Sequence, residues 1–452
     1  MAAWHAGFRA LSDDDYARIA IAQRFADAPH FDPTGTSWLP APFWLYGTMF
    51  RCFGTGLGVA RATAIVTGLV ATVLIYVAAR MLGAARFSAL LGAAISAVII
   101  PYSVVLGIAA VPEVPCAALL VFATSTLSQR EPPLRACGGL SLVVACLSRY
   151  EAWPIAALFA LFCVWDALRT RRPGLLWCAA LAVSGPTLWL IAGHLEHRDA
   201  LFFVARVTAY RRALGGAEAS VLQRLIEYPR LLLWEGRALW AALILLWFVS
   251  WRGKTSGPIA YGRMLIALSA MLSFLVLGSL RDGVPTHHAA RVLLPIWFFG
   301  SIGVGQLLGR CAFTHASRWR VGLVVTVMTW ALLFRVPGLL PDGGLAQRSA
   351  ELEAGAYARR YAPRALAIDT PDYGFFAVQA GFGTPSDTIV LDDHDPRHSS
   401  SDPFRDAATA DRALREQGAD FAIVSDAHAA LLKPLYCELW RNGTLVLLRS
   451  PH

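Results

Sequence analysis

Residues 57–79, LGVARATAIVTGLVATVLIYVAA, run without a break in apolar character and carry a single charge, Arg61. A helix of that length rises roughly 30–35 Å, enough to cross the hydrocarbon core of a bilayer. This stretch is therefore read as a transmembrane helix, and the chain around it must be read with lipid as its solvent.

Working outward, further runs of spanning length lie near 87–111, 152–168, 174–194, 259–280, 291–309 and 321–340, with weaker ones near 114–128, 136–148 and 234–251. The expectation is about ten spans. Composition agrees: the chain is 56% hydrophobic and 16% charged over 452 residues, with a mean hydropathy of +0.49, outside the range of soluble globular domains. The formal charge of +9 comes almost wholly from arginine, Lys254 and Lys433 being the only lysines. Positive loops are ordinary in a membrane protein, and no nucleic-acid partner is expected. Of the eight cysteines, Cys116, Cys137, Cys146, Cys163 and Cys178 sit inside apolar runs as small hydrophobes, and no disulfide or zinc spacing is seen. Residues 1–15 hold no apolar signal segment, so insertion is expected to use the internal helices.

Charge orders the loops. Arg80 and Arg86, Arg130 and Arg135, Arg169 with Arg171 and Arg172, Arg252 and Lys254, and Arg310 with Arg318 and Arg320 occupy alternate short loops, which the positive-inside rule assigns to the cytoplasm. Residues 1–56, the loops at Glu113 and at 148–151, the 195–235 segment, the 281–290 loop and everything after 341 then face outside, on an inner-membrane protein of the cell. Past Pro341 charge rises and long apolar runs stop. Short strand-like runs at 365–369, 388–392 and 421–425 alternate with helical stretches near 373–380 and 403–417, and Asn442-Gly443 reads as a tight hairpin turn. The expected fold class is an all-α polytopic membrane domain followed by a small α/β soluble domain. Its parts are an outer acidic loop with interfacial helices (1–56), a membrane domain (57–340) and an extracytoplasmic domain (341–452).

The densest local signal is Ser12-Asp13-Asp14-Asp15-Tyr16, followed by Trp38-Leu39-Pro40-Ala41-Pro42-Phe43-Trp44 just ahead of the first span. Capping and the helix dipole account for acids in a first turn. Three in a row exceed what a cap needs and repel one another unless a cation is near. Val111-Pro112-Glu113 sets an ionisable group at a membrane edge, where charge is costly and marks a functional candidate, with a plain loop acid as the bland alternative.

This ordered set resembles the GT-C superfamily of polyprenyl-phosphate-sugar glycosyltransferases, which includes protein O-mannosyltransferases, aminoarabinose transferases and arabinofuranosyltransferases. Asp13-Asp14 with Tyr16, the aromatic and proline stretch at 38–44, and Arg61 match the superfamily's acidic first loop in order. Glu113 matches its second-loop acid, Arg149-Tyr150-Glu151 its aromatic-acidic turn, and 288–295 its late basic loop. Relatives normally have a spanning helix before the acidic loop, and here only about a dozen residues precede it, so either the start is placed too late or this subgroup dispenses with that helix.

What the resemblance implies is sugar transfer from a polyprenyl-phosphate donor to an acceptor hydroxyl on the extracytoplasmic face, with inversion. The phosphate is already a good leaving group, so one base suffices, in contrast to the carboxylate pair of glycoside hydrolysis. Asp14 or Asp13 is expected to be that base, with Asp15 and Glu151 as further acids of the site. Asp14 and Glu113 together would hold a divalent cation, Mg or Mn, against the donor phosphate. Arg149, Arg211, Arg212, His288 and Arg291 are expected to meet that phosphate, the 195–237 segment being an arginine-rich amphipathic stretch for which generic headgroup binding is the alternative. Partners would be the lipid-linked donor, membrane lipid, and an acceptor on protein, glycan or lipid. A transporter or lipid flippase is the rival, disfavoured by the lack of repeated halves. Asp392-Asp393-His394-Asp395 with His398 reads as solvated turn acids, and Asn442-Gly443-Thr444 as a hairpin.

Overall fold

The chain was analysed as a computed structural model that describes residues 8–100, 102–213, 220–251, 260–281, 289–312, 347–395, 397 and 403–450, with 322, 326 and 329 as isolated positions. Helices α1 (Asp13–Asp27) and α2 (Ala41–Phe53) come first, then α3 (Leu57–Met81) and α4 (Arg86–Ala94), the latter continuing as a π turn over Ile95–Ile99. After a single helical turn at Ser103–Leu106 come α5 (Glu113–Thr126), α6 (Pro132–Cys146), α7 (Ala152–Thr170) and α8 (Gly174–His197). They are followed by α9 (Phe202–Ala213), α10 (Val221–Glu235), α11 (Arg237–Trp251), α12 (Ala260–Leu280) and α13 (Leu294–Ala312).

Among the described residues five helices are long and apolar enough to cross a membrane: Leu57–Met81, Ala152–Thr170, Gly174–His197, Tyr261–Leu280 and Ala289–Gly309. Arg86–Ile99, Glu113–Thr126, Pro132–Cys146 and Arg237–Trp247 are apolar but shorter. This is a multi-pass membrane protein, in which five of about ten expected spans are helices of spanning length among the described residues, and the 321–340 run lies almost wholly outside those residues. The run at 87–111 is not one helix. Ile100 precedes Pro101 and takes extended backbone (φ −63°, ψ 137°), because the proline ring excludes the α conformation from the residue before it.

Lipid exposure is written on α3, where Val66, Leu69, Val70 and Val73 are 56%, 63%, 52% and 59% exposed. A stripe of that kind is tolerated only where the solvent is itself apolar. Inside the bundle small residues set the spacing. α4 packs on α13 at Gly92, Gly305 and Gly309, where a Cβ on Gly305 would stand 2.5 Å from the Gly92 nitrogen and one on Gly309 would meet the Ser88 side chain. Gly305 and Gly309 form the small-xxx-small pattern that lets membrane helices approach by backbone contact.

The C-terminal unit holds a sheet of order β2-β1-β3-β5-β4, with β1 (Leu366–Ile368), β2 (Thr388–Val390), β3 (Phe421–Ser425), β4 (Cys437–Arg441) and β5 (Leu445–Arg449). β1 runs parallel to β2 and β3, while β5 runs antiparallel to β3 and β4. Helices α14 (Ser349–Ala358), α15 (Phe375–Phe382), α16 (Ala407–Glu416) and α17 (Asp426–Leu432) complete it. Gly443 sits at φ 89° in the β4–β5 hairpin, a conformation that glycine adopts without strain.

Gly305→Leu is expected to force α4 from α13 and lower the unfolding midpoint of the detergent-purified protein by several degrees. Gly262→Leu, where an added Cβ meets nothing within 4 Å, is expected to leave it unchanged; equal effects would refute this packing.

Candidate functional site

The three adjacent acids occupy the first turn of α1. Successive helical residues project about 100° apart, so Asp13, Asp14 and Asp15 face three different environments. Asp15 points inward, 0% exposed. It accepts from Arg61 at 2.8 and 2.9 Å and from the Ala110 backbone N–H at 2.9 Å, tying α1 to α3 and to the loop before α5. Arg61 is thereby spent on structure, and so is Asp15.

Asp13 faces the C-terminal unit. Arg348 grips it with both arms, Nε to Oδ1 and Nη2 to Oδ2, each at 2.9 Å, and also reaches Glu351 at 3.1 Å and Asp372 at 2.9 Å. Asp14 is the one left exposed, with no hydrogen bond or ion pair of its own among the described residues.

Beside Asp14 lies a set of cations withheld from water. Arg18, one turn further along α1, lays its guanidinium over Trp38 at 4.3 Å and Phe43 at 5.7 Å. Its Nε is buried with no hydrogen-bond partner. Burial lowers its pKa, while the charges of Glu113 and Asp14 oppose that shift; an arginine so placed stays charged. Arg291, in the 3-10 turn Ala289–Leu293 that leads into α13, is 6% exposed, and its Nε is also unpartnered. Glu113, Asp14 and Arg149 all lie within electrostatic reach of it.

Glu113 opens α5 and accepts from Arg149 at 2.9 Å, leaving its Oε2 buried and unbonded. Arg149 also contacts Glu151. Burial is the largest influence on Arg149 and lowers its pKa, but Glu151 and Glu113 together outweigh it and hold the group above its ordinary value. Tyr150, between them, donates to the Ser37 carbonyl at 2.9 Å and accepts from Trp189 at 3.2 Å, which anchors the 28–40 loop and so the Trp38 face under Arg18. Tyr228 on α10 adds a hydroxyl that is buried without a partner, sensing Glu151, Arg211 and Arg149.

Of the residues expected from sequence, Asp14, Glu113, Arg149, Glu151, Arg211 and Arg291 gather at this end of the bundle. Arg212 does not: it follows buried Arg211 on the same helix and is therefore rotated to the exposed side. Asp13 and Asp15 are engaged by arginines, and His288 lies outside the described residues. Arg18, Arg348 and Tyr228 were not singled out beforehand as site residues. Arg18 was findable, being four residues after Asp14 at helical spacing, whereas Arg348 has no local signal.

The described donors do not fit a divalent cation between Asp14 and Glu113. Glu113 is already salt-bridged, and Arg18, Arg149 and Arg291 surround the pair with positive charge, which would repel a second cation.

The opposite end of the bundle carries a different network. Asp166 on α7 binds Arg135 of α6 at 2.5 Å and Arg263 of α12 at 2.6 Å. In the C-terminal unit His394 bonds the Thr370 carbonyl at 2.6 Å and its own N–H bonds Asp392 at 2.9 Å, turn interactions of the kind expected for that acidic stretch. His398 is outside the described residues.

Asp13→Ala and Arg348→Ala are each expected to loosen the C-terminal unit on α1, read as faster limited proteolysis between the two. A double-mutant cycle on unfolding should give a coupling of about 0.5–3 kcal/mol; strictly additive losses would mean the grip is absent in solution.

No protein-family model and no curated protein sequence matches the chain. Solved structures do. The crystal structure of ArnT from Cupriavidus metallidurans bound to undecaprenyl phosphate superposes with a TM-score of 0.63 at 14% identity, covering 99% of this chain and 96% of that one. The same protein in the apo state gives 0.61 at 14% identity, covering 98% and 94%. At such identity the likeness is one of fold, and it runs over nearly the whole of both chains: the chain has the fold seen in ArnT.

Proposed function

We propose that this protein is a membrane glycosyltransferase that moves a sugar from a polyprenyl-phosphate donor to an acceptor hydroxyl at the extracytoplasmic face, with inversion. The observation that carries the reading is the pairing of one uncommitted carboxylate, Asp14, with two guanidiniums, half-buried Arg18 and buried Arg291, whose buried Nε atoms lack partners. An unmade hydrogen bond on a buried polar group costs on the order of 1–3 kcal/mol, and a phosphate supplies the acceptor oxygens that would satisfy both. The fold match adds a neighbour crystallised with undecaprenyl phosphate.

In this reading Asp14 accepts the acceptor's hydroxyl proton as that oxygen attacks the anomeric carbon. The bond from that carbon to the phosphate oxygen breaks on the opposite face, and the electron pair leaves with the lipid phosphate. Arg291 and Arg18 stabilise the charge that grows there, in a site shielded from water where such stabilisation is strongest. Arg149 orients Glu113 and contributes to the field. Arg348 occupies both oxygens of Asp13, and Arg61 with the Ala110 N–H occupies those of Asp15, which leaves Asp14 as the acid with open lone pairs.

The test is transfer from a panel of radiolabelled polyprenyl-phosphate sugars in membranes containing the chain. Asp14→Asn is expected to lower the rate by roughly 10²–10⁴-fold with insertion unchanged, and Arg291→Ala to weaken donor use at a given concentration. Retained transfer in Asp14→Asn with loss in Asp13→Asn would move the base to Asp13. Well-inserted protein that transfers from no donor would sink the enzyme reading and favour transport.

A further inference from the structure

Away from the acidic first turn, Asp32, Glu196 and His197 bring one ligand atom each within 4.8 Å of one another. Asp32 lies in the loop between α1 and α2, and the other two close α8. Asp32 is 7% exposed, and its Oδ1 is fixed by the Thr34 N–H at 2.9 Å and the Thr34 hydroxyl at 2.8 Å, with no hydrogen bond to Oδ2 among the described residues. The His197 ring is held against Phe202, centroids 4.1 Å apart, and its Nε2 is buried with no hydrogen-bond partner. No hydrogen bond or ion pair joins the three among the described residues, and Arg198, next in the chain, makes none with either carboxylate. Two carboxylates brought this close repel unless a cation lies between them, and a neutral imidazole with an unpartnered nitrogen has a lone pair to offer a metal.

We propose that Asp32, Glu196 and His197 form a zinc(II) site. One imidazole with two carboxylates suits zinc, which takes four ligands at about 2.0–2.2 Å; water would supply the fourth. Tetrahedral donors at that range stand roughly 3.4 Å apart, so side-chain rotation closes the remaining gap. The ion cross-links the 28–40 loop to the end of α8. Because Trp38, under the Arg18 guanidinium, belongs to that loop, the clip steadies one wall of the candidate site while taking no part in transfer. The inference does not depend on the glycosyltransferase reading.

The experiment uses the full chain in detergent, stripped with a chelator and dialysed, then titrated with Zn²⁺ and separately with Mn²⁺. Bound metal is measured by mass spectrometry and unfolding is followed with and without metal. About one zinc per chain is expected, with a higher melting midpoint in its presence. Asp32→Asn and His197→Ala should each remove the bound zinc while their metal-free melting matches the parent. Glu196→Gln, at an exposed side chain, is a second variant that does not risk the fold and should weaken zinc by at least about tenfold. No zinc on the wild type, zinc retained by all three variants, or manganese bound in its place would each overturn the assignment.

Discussion

The buried pair of Asp15 and Arg61 is the constraint on which the acidic end of this molecule depends. A carboxylate fully withdrawn from solvent is tolerable only if its charge and lone pairs are met, and here a guanidinium and the Ala110 N–H meet them. Removing either partner of such a pair typically costs about 3–5 kcal/mol, because the survivor stays buried and uncompensated. The pair fixes the rotation of α1 about its axis. With Asp15 pinned inward, helical geometry alone decides where Asp13 and Asp14 point.

The same logic explains the cations. Glu113 and Asp14 are two negative charges near the end of an apolar bundle, set against Arg18, Arg149 and Arg291. Arg149 is consumed by Glu113 and Glu151, so the local balance leaves positive charge that the protein itself does not saturate. Compare the far end, where Asp166 is shared by Arg135 and Arg263 through direct contacts. That cluster ties three helices through direct ion pairs, with one Arg135 nitrogen left unbonded, whereas the one near Asp14 keeps two unbonded Nε atoms and a bare carboxylate oxygen. The far cluster holds helices together, and the one near Asp14 leaves more of its charge unmatched by the protein's own side chains.

Much of this architecture was legible in the sequence, for definite physical reasons. Apolar length marks a span whatever its neighbours, so Leu57–Met81 and Gly174–His197 were found within a few residues. Strands β1 to β3 were found because short apolar runs bounded by turn residues have few other readings. The break after Ile99 was missed because a length scan counts apolar residues and ignores what Pro101 does to Ile100. At the site, residue type and order brought out Asp14, Glu113, Arg149 and Arg291. Their separation from Asp13, Asp15 and Arg212 was not legible, since it follows from the facing of each side chain on a helix whose rotation is set by distant partners. Arg348, 335 positions from Asp13 along the chain, could be found only in three dimensions.

That long-range contact bears on which acid can act as a base. A carboxylate has a finite set of lone-pair directions, and a bidentate guanidinium takes the two best of them. Arg348 can let go of Asp13 only by giving up contacts that also hold Glu351 and Asp372, the latter just past the end of β1. Freeing Asp13 would therefore mean undocking the C-terminal unit, and it would return a second negative charge to the first turn of α1 beside Asp14. Keeping Arg348 in place avoids both costs. The docked C-terminal unit thus leaves Asp14 as the acid that stays open, and the arrangement gives that unit a structural duty at the first turn of α1.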